Sequence, residues 1–214
     1  MGNVNSRKIK QITRKEYLPF MINIHYAKRS PSVSYAYGLF LGDELEGIVS
    51  FGTPPSSTLR SGIAGDEFIF DVLELNRLVL QHNNKNDSSW LIANSLKLLP
   101  KNKIIVSYAD TKQNHIGYVY QASNFLYTGL SAKRSDWRVR GKEHLHSQSI
   151  GDEFRGQPNR SKLIRDKYGD AFYSVPRPRK HRYVYITGSK TYKKEVLKNL
   201  RYKIKEYPKY NEDV

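Results

Sequence analysis

The chain contains no cysteine, and that single absence removes disulfides, thiolate zinc sites and cysteine nucleophiles together. A metal would have to be held by His, Asp, Glu or Tyr. Long apolar runs are missing too. Stretches such as Ile104-Ile105-Val106 fall far short of the roughly 20 residues a membrane helix needs, and Met1 to Lys10 carries no apolar signal core. A cytoplasmic protein without a membrane partner is therefore expected. Internal repeats and low-complexity tracts are absent. Acidic residues are scarce: 20 Asp+Glu stand against 36 Lys+Arg, a formal charge of +16. What is present is 38% hydrophobic and 12% aromatic residues in a chain of 214, enough to bury a real core.

The positive charge is unevenly spread. Residues 1–130 hold 14 basic and 10 acidic residues, whereas residues 131–214 hold 22 and 10. Lys and Arg displace counterions from a phosphate backbone, so a polyanion, and nucleic acid above all, is the expected partner. A basic segment that serves only solubility is the competing reading. The residues proposed to grip DNA are Lys28, Arg29, Arg60, Arg134, Arg138, Arg177, Arg179, Lys180 and Arg182. Phosphate contacts of this kind position a protein without reading sequence.

Along the chain, Tyr17 to Ile22 reads as a short helix leading into His25-Tyr26. Ser34–Phe40 and Leu45–Gly52 read as a hairpin across Gly42-Asp43-Glu44. Thr53-Pro54-Pro55 opens what reads as a loop to about Asp66. Phe68 to Leu80 has the pattern of a strand buried on both faces, with Glu74, Asn76 and Arg77 as polar groups that need partners or a task. A polar loop then precedes a helix from Trp90 to Leu99, with Asp87 or Ser88 as N-cap. Lys103–Tyr108 is a second buried strand, Asn114–Ala122 a helix and Phe125–Leu130 a further strand. Beyond Ser131 the pattern loosens, with short elements at 162–168 and 182–186 and a helix from about Lys190 to Tyr202.

Strand, small polar loop and helix start, as in Leu78 to Trp90, form an anion cradle when the helix N–H groups are free. The loop lacks glycine, which excludes a Walker loop or a dinucleotide fingerprint. Residues 73–125 resemble the later half of the GNAT acyltransferase fold, in which such a cradle receives the pyrophosphate of acetyl-CoA and a tyrosine of the last helix, here Tyr120, acts as an acid. The usual glycine-bearing motif is replaced by Asn83-Asn84-Lys85-Asn86-Asp87-Ser88.

Within that fold the chain is similar to the phage Mom DNA-modification family, on five ordered blocks over about residues 20–130: His25-Tyr26, Gly47 to Pro54, Glu74-Leu75-Asn76-Arg77-Leu78, Ser107-Tyr108-Ala109-Asp110 and Tyr120 to Phe125. Pro178 to Tyr183 is a looser match. The resemblance implies an α/β fold with a GNAT-like mixed central sheet flanked by helices. It divides the chain into a catalytic domain, 1–135, and a basic extension, 136–214, packed on it and contacting DNA.

The reaction it implies converts adenine in DNA to N6-carbamoylmethyladenine or a related adduct and shields phage DNA from host restriction. His25, Tyr26, Glu74, Arg77, Ser107, Asp110 and Tyr120 are then the catalytic candidates, and iron on His25 and Asp110 a possible metal, Glu74 being available as a further carboxylate. A small-group donor, acetyl-CoA among them, would lie against Leu78, Leu80, Asn83, Asn86, Ser88, Ser89 and Asn114. Read without the family, His25 is a structural histidine before it is a ligand, Asp110 equally a helix cap, and Glu74 with Arg77 a structural ion pair. Tyr26, Tyr108 and Tyr120 are candidates to wall an extruded base. Two other functions stay open: an acyl-CoA-dependent acetyltransferase on a protein or small molecule, and a non-catalytic DNA-binding protein. Whether the chain pairs into a dimer is not legible.

Overall fold

Apolar residues on both faces of three consecutive segments dictate a buried sheet, and a seven-stranded mixed sheet forms the centre of the computed structural model, which describes residues 7–82, 84–145 and 147–210. The strands are β1 (Arg7–Gln11), β2 (Tyr35–Leu41), β3 (Glu44–Gly52), β4 (Val72–Leu80), β5 (Ile104–Asp110), β6 (Leu126–Leu130) and β9 (Lys180–Ile186). Their spatial order is β1-β2-β3-β4-β5-β9-β6. Only β4 and β5 run parallel; every other neighbouring pair is antiparallel. The helices are α1 (Arg14–Pro19), α2 (Ser57–Ala64), α3 (Asp87–Leu98), α4 (Tyr118–Ala122), α5 (Ser147–Asp152), α6 (Arg160–Tyr168) and α7 (Lys190–Asn199). One face of the sheet packs Leu91, Ile92 and Leu96 of α3 against Leu73, Ile105 and Tyr183. The other packs Ile63 of α2 and Val196 of α7 against Val72, Val106 and Val184. The expectation of an α/β fold with a mixed central sheet flanked by helices is met.

The β2–β3 hairpin turns through Gly42-Asp43, with Leu41 opposite Glu44 and Gly42 at φ 64°, the first central position where type II′ turns place glycine. Between β3 and β4 the register slips: Ser50 faces Arg77 but Phe51 faces Leu75, so Asn76 is the extra residue of a bulge. A bulge bends its strand. The bend has a consequence on the other side of β4, where the ladder with β5 runs only from Val72↔Ile104 to Glu74↔Val106 and then stops. From there Leu75–Leu80 and Ser107–Asp110 diverge.

Several elements differ from the reading of the sequence. The supposed loop after Pro54-Pro55 contains α2, whose N-cap Ser56 accepts a hydrogen bond from the Leu59 N–H at 3.2 Å; the two prolines end β3 and mask the helix that follows. Residues 7–11 form an edge strand in which Ile9 alone is half-buried, so the two-residue alternation is nearly all charge. The helix at Asp87 is capped by Asn86 in the left-handed region (φ 68°), not by Asp87 or Ser88. Residues 134–177 make a satellite layer: β7 (Arg134–Val139) pairs with β8 (Phe172–Arg177) and encloses Val139, Ile150 and Ile164 with α5 and α6. Residues after 177 return to the main sheet, where β9 lies between β5 and β6.

Candidate active site

The parting of β4 and β5 brings side chains from both faces of the sheet to one opening. Strand alternation and the registers Glu74↔Val106, Tyr108↔Arg182 and Asp110↔Lys180 place Glu74, Tyr108, Asp110, Lys180 and Arg182 on one face. Ser107, on the other face, donates its hydroxyl to the Leu75 carbonyl at 3.0 Å and takes the place of the ladder bond lost at the splay. Tyr120 of α4 packs on Phe125 and Tyr183, with ring centroids at 5.5 and 5.3 Å, and the Ser107 side chain lowers its pKa against the rise that burial causes.

Glu74 is the electrostatic centre. Burial raises its carboxyl above the usual carboxylate range, against the pull of Lys180 and Arg77. Burial also pushes up the Tyr108 and Tyr120 phenols, and the Glu74 carboxylate adds to both shifts. A carboxylate held partly out of water, whose charge acts on a phenol from each face, is an acid–base arrangement.

His25 and Tyr26 reach the same opening from the loop before β2. Pro19, which lacks an N–H, ends α1, and the chain continues as one wider turn, Phe20–Ile24, closed by His25 N–H to the Phe20 carbonyl at 3.0 Å. The two rings stack at 4.4 Å. The Ala27 N–H donates to His25 Nδ1 at 3.0 Å, so the neutral ring carries its proton on Nε2. Burial first, and then Arg77, depress the His25 pKa to about 4.

Arg77 ties this loop to β4, donating from Nη1 to the Asn76 carbonyl at 2.6 Å and from Nη2 to the Arg29 carbonyl at 3.1 Å. Asn76 does the same one residue earlier: its Nδ2 donates to the Ser32 carbonyl at 2.8 Å and its Oδ1 accepts from Ser50 at 2.7 Å. Gly52 is required beneath it, because a Cβ there would lie 1.9 Å from the Ser32 oxygen. The polar groups of β4 thus divide: Asn76 and Arg77 staple a loop, and Glu74 faces the opening. The block Glu74 to Leu78 was the signal for this; the roles of Ser32 and Ser50 had none in the sequence, and Lys180, expected on DNA, pairs with Asp110 instead.

The metal reading finds no support in the donor set. Asp110 Oδ2 lies 3.2 Å from Lys180 Nζ, and Oδ1 accepts the Lys112 N–H at 3.0 Å as cap of the 3-10 turn Thr111–Gln113. With His25 Nδ1 engaged, its Nε2 carries a proton instead of a free lone pair. Among the described residues no three His, Asp or Glu side chains come together as a metal group. His25, Asp110 and Glu74 as arranged do not fit iron.

The cradle before α3 does not fit a pyrophosphate either. Asp87, 1% exposed at the first helical position, sets a carboxylate at the positive end of the helix, 2.8 Å from Arg7 Nη2. Ser89 donates to the Asn86 carbonyl at 3.1 Å, and Ser88 is half-buried beside it. Leu78 and Leu80 pack on the core, Leu80 over Gly47. Asn114 is exposed and ends the 3-10 turn at φ 54°. Asn83 lies outside the described residues. A groove of about 590 Å³ exists elsewhere, lined by Leu96, Lys97, Tyr185, Thr187 and Lys193 among others. It lies at the end of the sheet where β5 starts, away from the Asp110 end, with Ala122, Ser123 and Asn124 at the close of α4 in its wall.

The basic residues fall into two groups. Lys28, Arg29 and Arg134 are exposed. Arg60 is half-buried on α2. Arg177 is ion-paired with Asp136 across β7 and β8, and Arg138 donates to the Leu145 carbonyl at 3.1 Å. Arg179 holds the Ser131 carbonyl at 2.6 Å. Arg182 corrects the expectation of a surface contact: it is 8% exposed, donates Nε to Thr128 Oγ1 at 2.9 Å and Nη2 to the Thr128 carbonyl at 3.0 Å, and lies 3.3 Å from the Tyr202 ring centroid. Among the described residues no helix is long and apolar enough to cross a membrane.

Fold and site together define an α/β protein whose acid–base groups gather where two parallel strands part. The chain belongs to the Mom protein family, which it matches over residues 6–209. It is 27% identical over 200 residues to the methylcarbamoylase Mom of Escherichia phage Mu, covering 86% of this chain and 76% of that protein. Solved structures similar to it include a Bacillus subtilis acetyltransferase in complex with CoA (13% identity, TM-score 0.44, 85% of this chain and 99% of that one). A GNAT-family acetyltransferase from Bacillus cereus is another (10%, TM-score 0.45, 86% and 99%).

Proposed function

We propose that the protein modifies adenine in double-stranded DNA, joining a carbamoylmethyl or related small group to N6. The observation that carries this is the Glu74 carboxyl at the opening between β4 and β5, raised by burial and set against the Tyr108 and Tyr120 phenols. Family membership and the name of the Mu relative, a methylcarbamoylase, supply the reaction class. The base must leave the stack to reach such an opening, and Tyr26, exposed and stacked on half-buried His25, offers it an aromatic shelf. As the N6–C bond forms, N6 loses a proton to Glu74, and the donor's leaving group takes one from the Tyr120 hydroxyl. Arg77 holds the shelf in place through the Arg29 carbonyl. The small-group donor is not assigned to the α3 cradle, where Asp87 already supplies an anion.

The test is mass spectrometry of nucleosides from plasmid DNA of cells expressing the protein or its Glu74→Gln variant. An adenine nucleoside heavier by about 57 Da, a carbamoylmethyl group in place of one hydrogen on an exposed base nitrogen, is expected with the native chain and absent with the variant. The same plasmid should resist restriction nucleases that read adenine. Unmodified nucleosides from folded protein overturn the proposal; acetyl-CoA turnover without DNA would favour a protein or small-molecule acetyltransferase.

A further inference from the structure

The wide turn Phe20–Ile24 has an inner and an outer side. Phe20 and Met21 are buried with Ile12, Tyr17, Ile48 and Val79, which fixes the turn to the sheet. The apolar residues that follow are left in solvent: Ile22 is 39% exposed, Ile24 47% and Tyr26 57%. Three apolar side chains are thus left in water at positions 22, 24 and 26, around the turn that His25 N–H closes on the Phe20 carbonyl. They adjoin His25 directly, and the exposed cations Lys28 and Arg29 follow within a few residues. The Arg29 backbone is itself held by Arg77.

We propose that Ile22 and Ile24 form a wedge that enters the duplex beside the target adenine and occupies the place the extruded base vacates, with Lys28 and Arg29 on the flanking phosphates. The inference rests on the DNA-modification reading and names how that site gains its substrate. An apolar side chain between base steps offsets the lost stacking and holds the base out, and a base step rises by only about 3.4 Å, the room of one aliphatic side chain. The anchored inner side of the turn supplies the stiffness a wedge needs. Charge complementarity chooses the occupant: an apolar edge flanked by cations suits stacked bases flanked by phosphates.

The experiment measures 2-aminopurine fluorescence in a duplex where that base replaces every adenine, with the native chain, with I22S/I24S and with the conservative I22L/I24L. Native protein and I22L/I24L should raise the fluorescence. I22S/I24S should bind the duplex with little change in affinity, keep its melting temperature, and give a gain about tenfold smaller. Equal gains from I22S/I24S and native protein overturn the wedge, as does a native chain that modifies plasmid adenine with no fluorescence gain. A native dimer that I22S/I24S dissociates, seen by sedimentation, overturns it by assigning the edge to a second copy. If the native chain yields neither gain nor modified nucleoside, the DNA-modification reading falls and the wedge with it.

Discussion

The Ser107 hydroxyl donates to the Leu75 carbonyl, 3.0 Å away, at the first position where β4 and β5 no longer pair. A buried carbonyl without a donor costs about 1–3 kcal/mol, so Ser107→Ala should lower stability by that order in urea unfolding. The same change removes the side chain that offsets part of the rise in the Tyr120 pKa. Modification should therefore fall by more than the loss of folded protein explains. A variant with unchanged stability would mean that water takes over the Leu75 carbonyl and that the splay needs no side-chain support.

Glu74 gives the second prediction. Glu74→Gln keeps the shape and removes the base, for which a loss of about 10²–10⁴ in rate is expected. Because burial raises its pKa, the native rate should climb with pH along a limb above the ordinary glutamate value of about 4.3. Arg77→Ala takes away one of the two cations that lower this pKa and should move the limb further up. A profile with no limb above about pH 4.3 would assign proton removal to another group.

How much of this was legible depended on whether the cause was local. The buried strands β4 and β5 announced themselves as apolar runs, and Glu74, Asn76 and Arg77 stood out inside one of them. What they do there was not local. Asn76 is the bulge residue only because Ser50 and Phe51 pair across a register slip, and Arg77 finds the Arg29 carbonyl 48 residues away. The edge strand β1 was hidden by its charge and α2 by the prolines before it. Arg182 lies in the densest basic cluster of the sequence, yet Thr128 and Tyr202, far apart in the chain, bury it.

His25 links pH to stability. Its folded pKa is depressed to about 4, from an ordinary value near 6.5, so the unfolded chain takes up the proton first as the pH falls. Its contribution to stability is complete above about pH 6.5 and is lost progressively towards pH 4. Buried His181, whose pKa is also lowered by burial, acts in the same direction. The melting temperature should drop between pH 7 and 5, and His25→Gln should flatten part of that drop. An unaltered slope in the variant would place the sensitivity on His181.

Arg182 and Arg29 should separate folding from DNA binding. Arg182→Ala leaves Thr128 without its donors and Tyr202 without its cation, so its effect should be a lower unfolding midpoint, with the salt dependence of DNA binding unchanged for the protein that remains folded. Arg29 is exposed and contributes its carbonyl, not its side chain, to the loop. Arg29→Ala should leave stability nearly intact and reduce the slope of log affinity against log salt by about 1. Titrating one DNA duplex at several salt concentrations distinguishes the two. If Arg182→Ala reduces the slope and Arg29→Ala does not, the phosphates lie along β9 and not beside the His25 loop, and the duplex approaches the opening from the other side.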